Sequence, residues 1–155
     1  MQDGLTINET LLVFFTSFLP YLELRGAIPL AFYYGARPWQ AFLIGVTGNL
    51  VPIIPVMVVL SYLARWSNKY NIFYYLIKWI QRKTRKQQDK VHKYGFWGLM
   101  FFVAVPLPMS GIWTGAAVAY LLGIKKRHAF IALTFGTLIA GILVTLMTAG
   151  ILKIW

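Results

Sequence analysis

Two ionisable side chains, Glu23 and Arg25, stand two residues apart in the apolar stretch PYLELRGAIPLA, residues 20–31. A carboxylate and a guanidinium are both costly in hydrocarbon. Where they occur inside membrane segments they belong to ion pairs, proton relays or substrate pathways. At this spacing they do not share a face of an α-helix. Pro20 and Pro29 flank them, and each proline lacks a backbone donor and disfavours continuous helix. The combination predicts an unwound tip in which both side chains turn into one interior. Gly26 belongs to this tip, and Pro29 is expected in the first turn of the following helix. Free N–H groups at that helix start attract an anion, and Glu23 is the candidate anion. Two roles follow for the pair: a substrate or proton site near mid-membrane, or an ion pair that staples the fold.

A second break lies in PLPMSGIWTGAAVAYLLG, residues 106–123. Pro106, Pro108 and Gly111 shape this tip. Ser110 can cap the returning helix, while Trp113 and Thr114 offer an aromatic face and a hydroxyl. Ser110, Trp113 and Thr114 are therefore grouped with Glu23 and Arg25 as candidate substrate or proton contacts. Asn49, beside Gly48 and Pro52, is expected to make an interhelical hydrogen bond. His92 and His128 lie beside basic clusters and are read as loop residues without a catalytic role. The sequence contains neither a Ser/His/Asp set nor a metal-ligand cluster or phosphate loop, so the expectation is a protein that is not an enzyme and has no metal or cofactor.

The elements that position these residues follow from composition. The 155 residues are 59% hydrophobic and 12% charged, with a mean hydropathy of +0.64. That is too little polar surface for a soluble domain, and predicts an all-α integral membrane protein. The net charge of +11 sits in loops between apolar runs, as the positive-inside rule requires, and no nucleic-acid motif accompanies it. Nucleic acid is not an expected partner. With no cysteine, disulfides and thiolate chemistry are excluded. The N-terminus lacks a basic n-region and reads as an uncleaved, external end.

Uncharged segments 38–64 and 128–152 are long enough to span a bilayer, which takes about 17–25 apolar residues. The regions around the two breaks read instead as re-entrant hairpins, whose non-helical tips must be buried in protein or face a watery cavity. The halves correspond at an offset of 88 residues: Pro20 with Pro108, Gly48 with Gly136, and Ala27, Ala31 and Gly35 with Gly115, Ala119 and Gly123. The last two sets place a small residue at every fourth position and predict close helix packing. The expected domain is a single one of two repeats, about 9–63 and 95–153, each a re-entrant helical hairpin plus a transmembrane helix. Each repeat crosses once, so the repeats are inverted, a transporter pattern. A basic linker, 64–94, is expected as a cytoplasmic amphipathic helix: Trp66, Tyr70, Phe73, Ile77 and Ile80 recur at helical steps, and its Lys and Arg suit anionic head groups. Both termini then lie outside.

At ELRGAIPLAFYYG (23–35) and VPLPMSGIWTGAAVAYLLGI (105–124) the chain resembles the small multidrug export family. That family is distantly similar to the DedA, or VTT-domain, membrane proteins. The resemblance implies two facing re-entrant hairpins in the cell membrane, with acidic and arginine residues at the hairpins. It also implies transport of a polyprenyl-phosphate-like lipid or another phospholipid, or multidrug export. In place of the DedA-like arginines around the second proline, this chain has Val103 and Met109. The resulting expectation is a small secondary transporter for an amphipathic substrate, in contact with membrane lipids, proton-coupled through Glu23 and acting as a homodimer. The alternatives are a multidrug exporter and a structural membrane protein.

Overall fold

The computed structural model describes residues 5–67, 88–106 and 110–154. The described residues form seven helices and no strand. They are α1 (Ile7–Phe18), α2 (Glu23–Tyr33), α3 (Pro38–Leu50), α4 (Ile53–Ser67), α5 (Gln88–Ala104), α6 (Ile112–Leu121) and α7 (Lys126–Ile154). The core of the expected amphipathic linker, with Tyr70, Phe73, Ile77 and Ile80, lies outside the described residues, as does Pro108.

Local chemistry sets most boundaries. A capping box opens α1: the Thr6 N–H donates to Glu9 Oε2 at 2.8 Å, and the Glu9 N–H donates to Thr6 Oγ1 at 3.4 Å. This satisfies donors that a helix start otherwise leaves free. At α3 the first position is Pro38, whose missing N–H costs nothing there, and the Arg37 N–H donates to Gln40 Oε1 at 3.0 Å. The helices α2 and α6 end in the same way. Tyr34, Gly35 and Ala36 donate to the carbonyls of Leu30, Phe32 and Ala31; Leu122, Gly123 and Ile124 donate to those of Val118, Tyr120 and Ala119. Each bond recurs 88 residues on. Gly35 and Gly123 carry φ of +83° and +67°, the left-handed region that glycine enters without steric cost. Their role is therefore to end helices, and a Cβ on either would meet nothing within 4 Å. The small-residue stripe packs only through its helical members, Ala27, Ala31, Gly115 and Ala119, all buried.

The segment read as one span over 38–64 is broken at Val51 and Pro52 into α3 and α4. Pro52 cannot donate to the Gly48 carbonyl. Pro38–Tyr62 is nonetheless apolar and long enough to cross a membrane, as is Lys126–Ile151 in α7.

Close helix contacts also recur between the halves. A Cβ on Gly48 would stand 2.7 Å from the Phe14 carbonyl oxygen, and one on Gly136 would stand 2.7 Å from that of Met100. Glycine thus lets α3 approach α1, and α7 approach α5, backbone against backbone. Between α2 and α3, Ile28 fills the space over Gly45. Between α6 and α7 the sizes are exchanged, and Leu133 lies over Gly115. The helices α2 and α7 pack together, as do α4 and α6, tying the halves to each other.

Two buried clusters result. One holds Ile53, Val56, Leu99, Val103, Ile112, Ala129 and Leu133; the other holds Val13, Leu24, Ile28, Ala41, Ala140 and Val144. Ala41 therefore shares a cluster with Ala140 and Val144, while Ile53 shares one with Ala129 and Leu133. The α3–α4 segment and α7 run antiparallel. Many large apolar side chains outside these clusters are exposed, among them Phe15, Trp39, Tyr62, Phe101, Phe135 and Leu146.

Candidate functional site

The residues bounding two chain breaks meet: Phe18, Glu23 and Arg25 beside the break at Leu19–Leu22, and Val105, Ser110, Gly111 and Trp113 beside the break between α5 and α6. Helix ends leave N–H and C=O groups without intrahelical partners, and burial makes each of them costly. Here each break supplies partners to the other.

Glu23 starts α2 and carries φ of +47°, the one positive φ outside glycine among the described residues. That conformation is costly for a residue with a Cβ, and such costs concentrate at functional sites. It aims the side chain out of α2, across to the N-terminus of α6. There the backbone N–H groups of Ile112 and Trp113 donate to the carboxylate. Gly111 is the N-cap of α6 and makes no side-chain cap of its own. A Cβ at Gly111 would overlap the Glu23 carboxylate, so only glycine admits it. Glu23 is 4% exposed. The positive end of the α6 dipole and a buried carboxylate thus stabilise each other.

Arg25 reaches the same place from the first turn of α2. Its Nη1 lies 3.9 Å from Glu23 Oε2. Its Nη2 donates to Ser110 Oγ at 2.9 Å and to the Val105 carbonyl at 3.2 Å. Ser110 Oγ donates to the same carbonyl at 2.8 Å. That carbonyl lies just past the end of α5, where donors are needed. Trp113 makes the reciprocal link: its Nε1–H donates to the Phe18 carbonyl at the end of α1, at 3.3 Å. The Phe18 and Trp113 rings stand edge to face, with centroids 6.2 Å apart.

Glu23, Arg25, Ser110 and Trp113 are therefore brought together, along with Gly111. Thr114 Oγ1 turns back to the Gly111 carbonyl at 3.2 Å, on the same first turn of α6. Gly26 lies in the first turn of α2, its N–H bonded to the Leu22 carbonyl at 2.8 Å. Pro29 is inside α2, as its seventh residue, and not in its first turn as expected. The helix tolerates it by giving up the bond from position 29 to the Arg25 carbonyl. The anion site expected at Glu23's own helix is accordingly the start of α6.

Three participants escaped the sequence reading: the Phe18 and Val105 carbonyls and the Ile112 N–H. Backbone groups carry no residue-type signal. Ser17 was also missed; it is fully buried and its hydroxyl donates to the Gly45 carbonyl. Its polar side chain in an apolar run was the available sign. Asn49 is 1% exposed, and its Oδ1 has no hydrogen-bond partner, so the expected interhelical bond is not made through that atom. His128 is exposed in the first turn of α7.

Chemically, the site is a set of donors around one internal anion: two backbone N–H groups and a guanidinium. Such an arrangement suits a carboxylate or a phosphate. Among the described residues, no three acidic or histidine side chains are grouped to hold a metal ion.

Neither the curated proteins nor the solved structures contain a match to the chain. Residues 23–143 match the sequence family described as "Putative small multi-drug export protein". The match begins at Glu23, just after the first chain break, includes the second and covers more than half of the sequence. With its two long apolar segments and a site assembled from the breaks before them, the chain belongs to this family of small multi-drug export membrane proteins.

Proposed function

We propose that the protein is a small secondary transporter of an amphipathic molecule, with Glu23 and Arg25 at the substrate site. One observation carries this reading: the Glu23 carboxylate occupies a helix N-terminus beside a guanidinium, where an external anion would find the same donors. A phosphate head group competes with Glu23 for the α6 N–H groups and for Arg25. Protonation of Glu23 removes its charge from those donors and so couples head-group binding to a proton. The substrate is a polyprenyl-phosphate-like lipid or a phospholipid. Around the first break Tyr21 is 91% exposed and Leu22 46%, and Val105 beside the second is 46% exposed. These apolar side chains allow a lipid tail to remain outside while its head group enters.

In this reading α1–α2 and α5–α6 are re-entrant hairpins, while α3–α4 and α7 cross the cell membrane. The recurrence at 88 residues, together with the antiparallel course of α3–α4 and α7, supports inverted repeats. Lys125, Lys126 and Arg127 then face the cytoplasm, with both termini outside. The bundle works as a homodimer, because one copy is small for enclosing a pathway. It moves its substrate without transforming it, and the DedA-like resemblance of the two motifs is in keeping with that role.

Export of drug-like compounds is the second substrate reading, favoured by the family's description. A purely structural role is favoured by the mutual capping of the breaks. Reconstitution in liposomes with an imposed pH gradient separates the three. Flux of a lipid phosphate that is lost in Glu23→Gln and Arg25→Ala, with both variants folded, supports the proposal. Flux of a cationic dye alone supports drug export. Wild-type flux in both variants overturns the site, and unfolding of both leaves only the structural role.

A further inference from the structure

The first chain break, Leu19–Leu22, stands near half the height of an apolar span. On its α1 side the Ser17 hydroxyl donates to the Gly45 carbonyl, and Phe14 and Ser17 lie against Gly48. On its α2 side Leu24 and Ile28 lie over Gly45. Gly45 and Gly48 are near the middle of Pro38–Tyr62, which is long enough to cross a membrane. With that segment across the bilayer, the break lies in hydrocarbon.

The break is also open to the outside of the molecule. Tyr21 is 91% exposed, Leu19 47% and Leu22 46%, and Pro20 is exposed as well. The Leu19 and Leu22 carbonyls accept from the Glu23 and Gly26 N–H groups. Among the described residues, however, the N–H groups of Tyr21 and Leu22 and the carbonyls of Pro20 and Tyr21 form no hydrogen bond. Beside the second break the Val105 carbonyl is served from within, by Arg25 and Ser110. Hydrocarbon offers an open backbone nothing, so non-helical chain at this depth is covered by protein or faces water. Two leucines and a tyrosine around the break make a poor wall for water and a good one for protein.

We propose that a second copy of this chain covers the break, so that the first breaks of two copies face each other across a two-fold axis within the bilayer. The exposed backbone carries donors and acceptors side by side and is complementary to itself, as a two-fold contact requires. Residues 19–22 are Leu, Pro, Tyr and Leu, so two copies meet there without like-charge repulsion. Tyr21 anchors the contact, with a large ring to bury and a phenol O–H for a carbonyl across the axis. The Glu23 sites of the two copies become neighbours, and a lipid tail accompanying a head group lies along the seam. This interface requires that the breaks lie within the bilayer, as the proposed function has it; it does not require transport.

The chain has no cysteine, so a single introduced cysteine reports one position. Full-length Tyr21→Cys and Phe135→Cys are oxidised in membranes with copper phenanthroline. Phe135, 52% exposed on α7 near the middle of Lys126–Ile151, is the matched control. Tyr21→Cys should give a disulfide-linked dimer on a non-reducing gel, and Phe135→Cys should stay monomeric. Energy transfer between labelled copies in liposomes should show Tyr21→Ala associating at least about tenfold more weakly than wild type, the effect of losing an anchoring interface tyrosine. Equal cross-linking at both positions would overturn the interface, as would association unchanged in Tyr21→Ala. A membrane-impermeant maleimide tests depth separately. Rapid labelling of Tyr21→Cys would put the break in water and overturn both the interface and the membrane placement. Protection from the maleimide without a cross-link would keep the placement and overturn the second copy alone. A cross-linked dimer without substrate flux would uphold the interface and count only against transport.

Discussion

Glu23 and Gly111, 88 residues apart in sequence, are in direct register. The carboxylate of the first occupies the space that a side chain on the second would fill. The N-terminus of α6 is thereby capped by a residue from α2, and Arg25 on that same turn reaches the carbonyl that ends α5. Each break is thus bordered by groups that complete the helix ends of the other.

Gly111→Ala tests that register. The new methyl displaces the Glu23 carboxylate from Ile112 and Trp113 and leaves a buried charge badly solvated, at a cost of about 3 kcal/mol. Gly98→Ala is the control: it lies within α5 with nothing within 4 Å of a new Cβ. There alanine should be neutral or stabilising by up to about 1 kcal/mol through helix propensity. Thermal unfolding in detergent, followed by circular dichroism, distinguishes the two; similar melting temperatures would contradict the capping geometry.

Glu23→Gln and Glu23→Ala separate charge from hydrogen bonding. Glutamine keeps an acceptor for the α6 N–H groups, so its stability loss should be about 1 kcal/mol. Alanine strips the acceptor and leaves Arg25 without its carboxylate, costing about 3 kcal/mol. Under the proposed function, both abolish proton-coupled flux. Chemical denaturation gives the stability order, and liposome flux gives the activity.

Arg25→Lys should not be conservative. One guanidinium nitrogen serves both Ser110 and Val105 while the other faces Glu23, a fork that a single ammonium does not reproduce. A loss of about 1–2 kcal/mol is expected. A double-mutant cycle with Ser110→Ala should give a coupling of at least about 0.5 kcal/mol. Strict additivity would show that the two side chains act independently.

Trp113→Phe keeps the edge-to-face contact with Phe18 and removes the Nε1–H. The Phe18 carbonyl then loses a donor, and stability should fall by about 1 kcal/mol. Trp113→Leu loses the ring contact as well, and should cost about 1 kcal/mol more. Melting temperatures that do not separate the two variants would argue against a role for the indole N–H.

Gly35→Ala and Gly123→Ala should destabilise to similar extents, about 1 kcal/mol each. Both glycines have positive φ and both end a helix with the same three hydrogen bonds. The double variant should be close to additive, since the sites belong to separate turns. Markedly unequal effects would mean that the turns are not equivalent in energy.

Much of the fold is legible in the sequence. The uncharged lengths of 38–64 and 128–152 mark the two segments long enough to cross a membrane, because hydrocarbon thickness fixes how many apolar residues are needed. The prolines around Glu23 and Arg25 signalled a helix break, which lies at 19–22, whereas Glu23, Arg25 and Gly26, expected in the unwound tip, form the first turn of α2. The offset of 88 located Gly35 against Gly123 and Gly48 against Gly136, and each pair has matching local contacts. These signals are local: turn chemistry, chain stiffness and side-chain volume act within a few residues.

Tertiary structure decided the rest. Sequence alone directed the Glu23 carboxylate to its own returning helix, with Pro29 at the start. In the folded chain α2 begins at Glu23 itself, absorbs Pro29 for the loss of one backbone bond, and gives its carboxylate to α6. Helix termini present backbone N–H and C=O groups that are the same for every residue type, so their partners become visible only when distant segments meet. Sequence determined that polar groups must be buried in an apolar chain; three-dimensional packing determined which helix end each one satisfies.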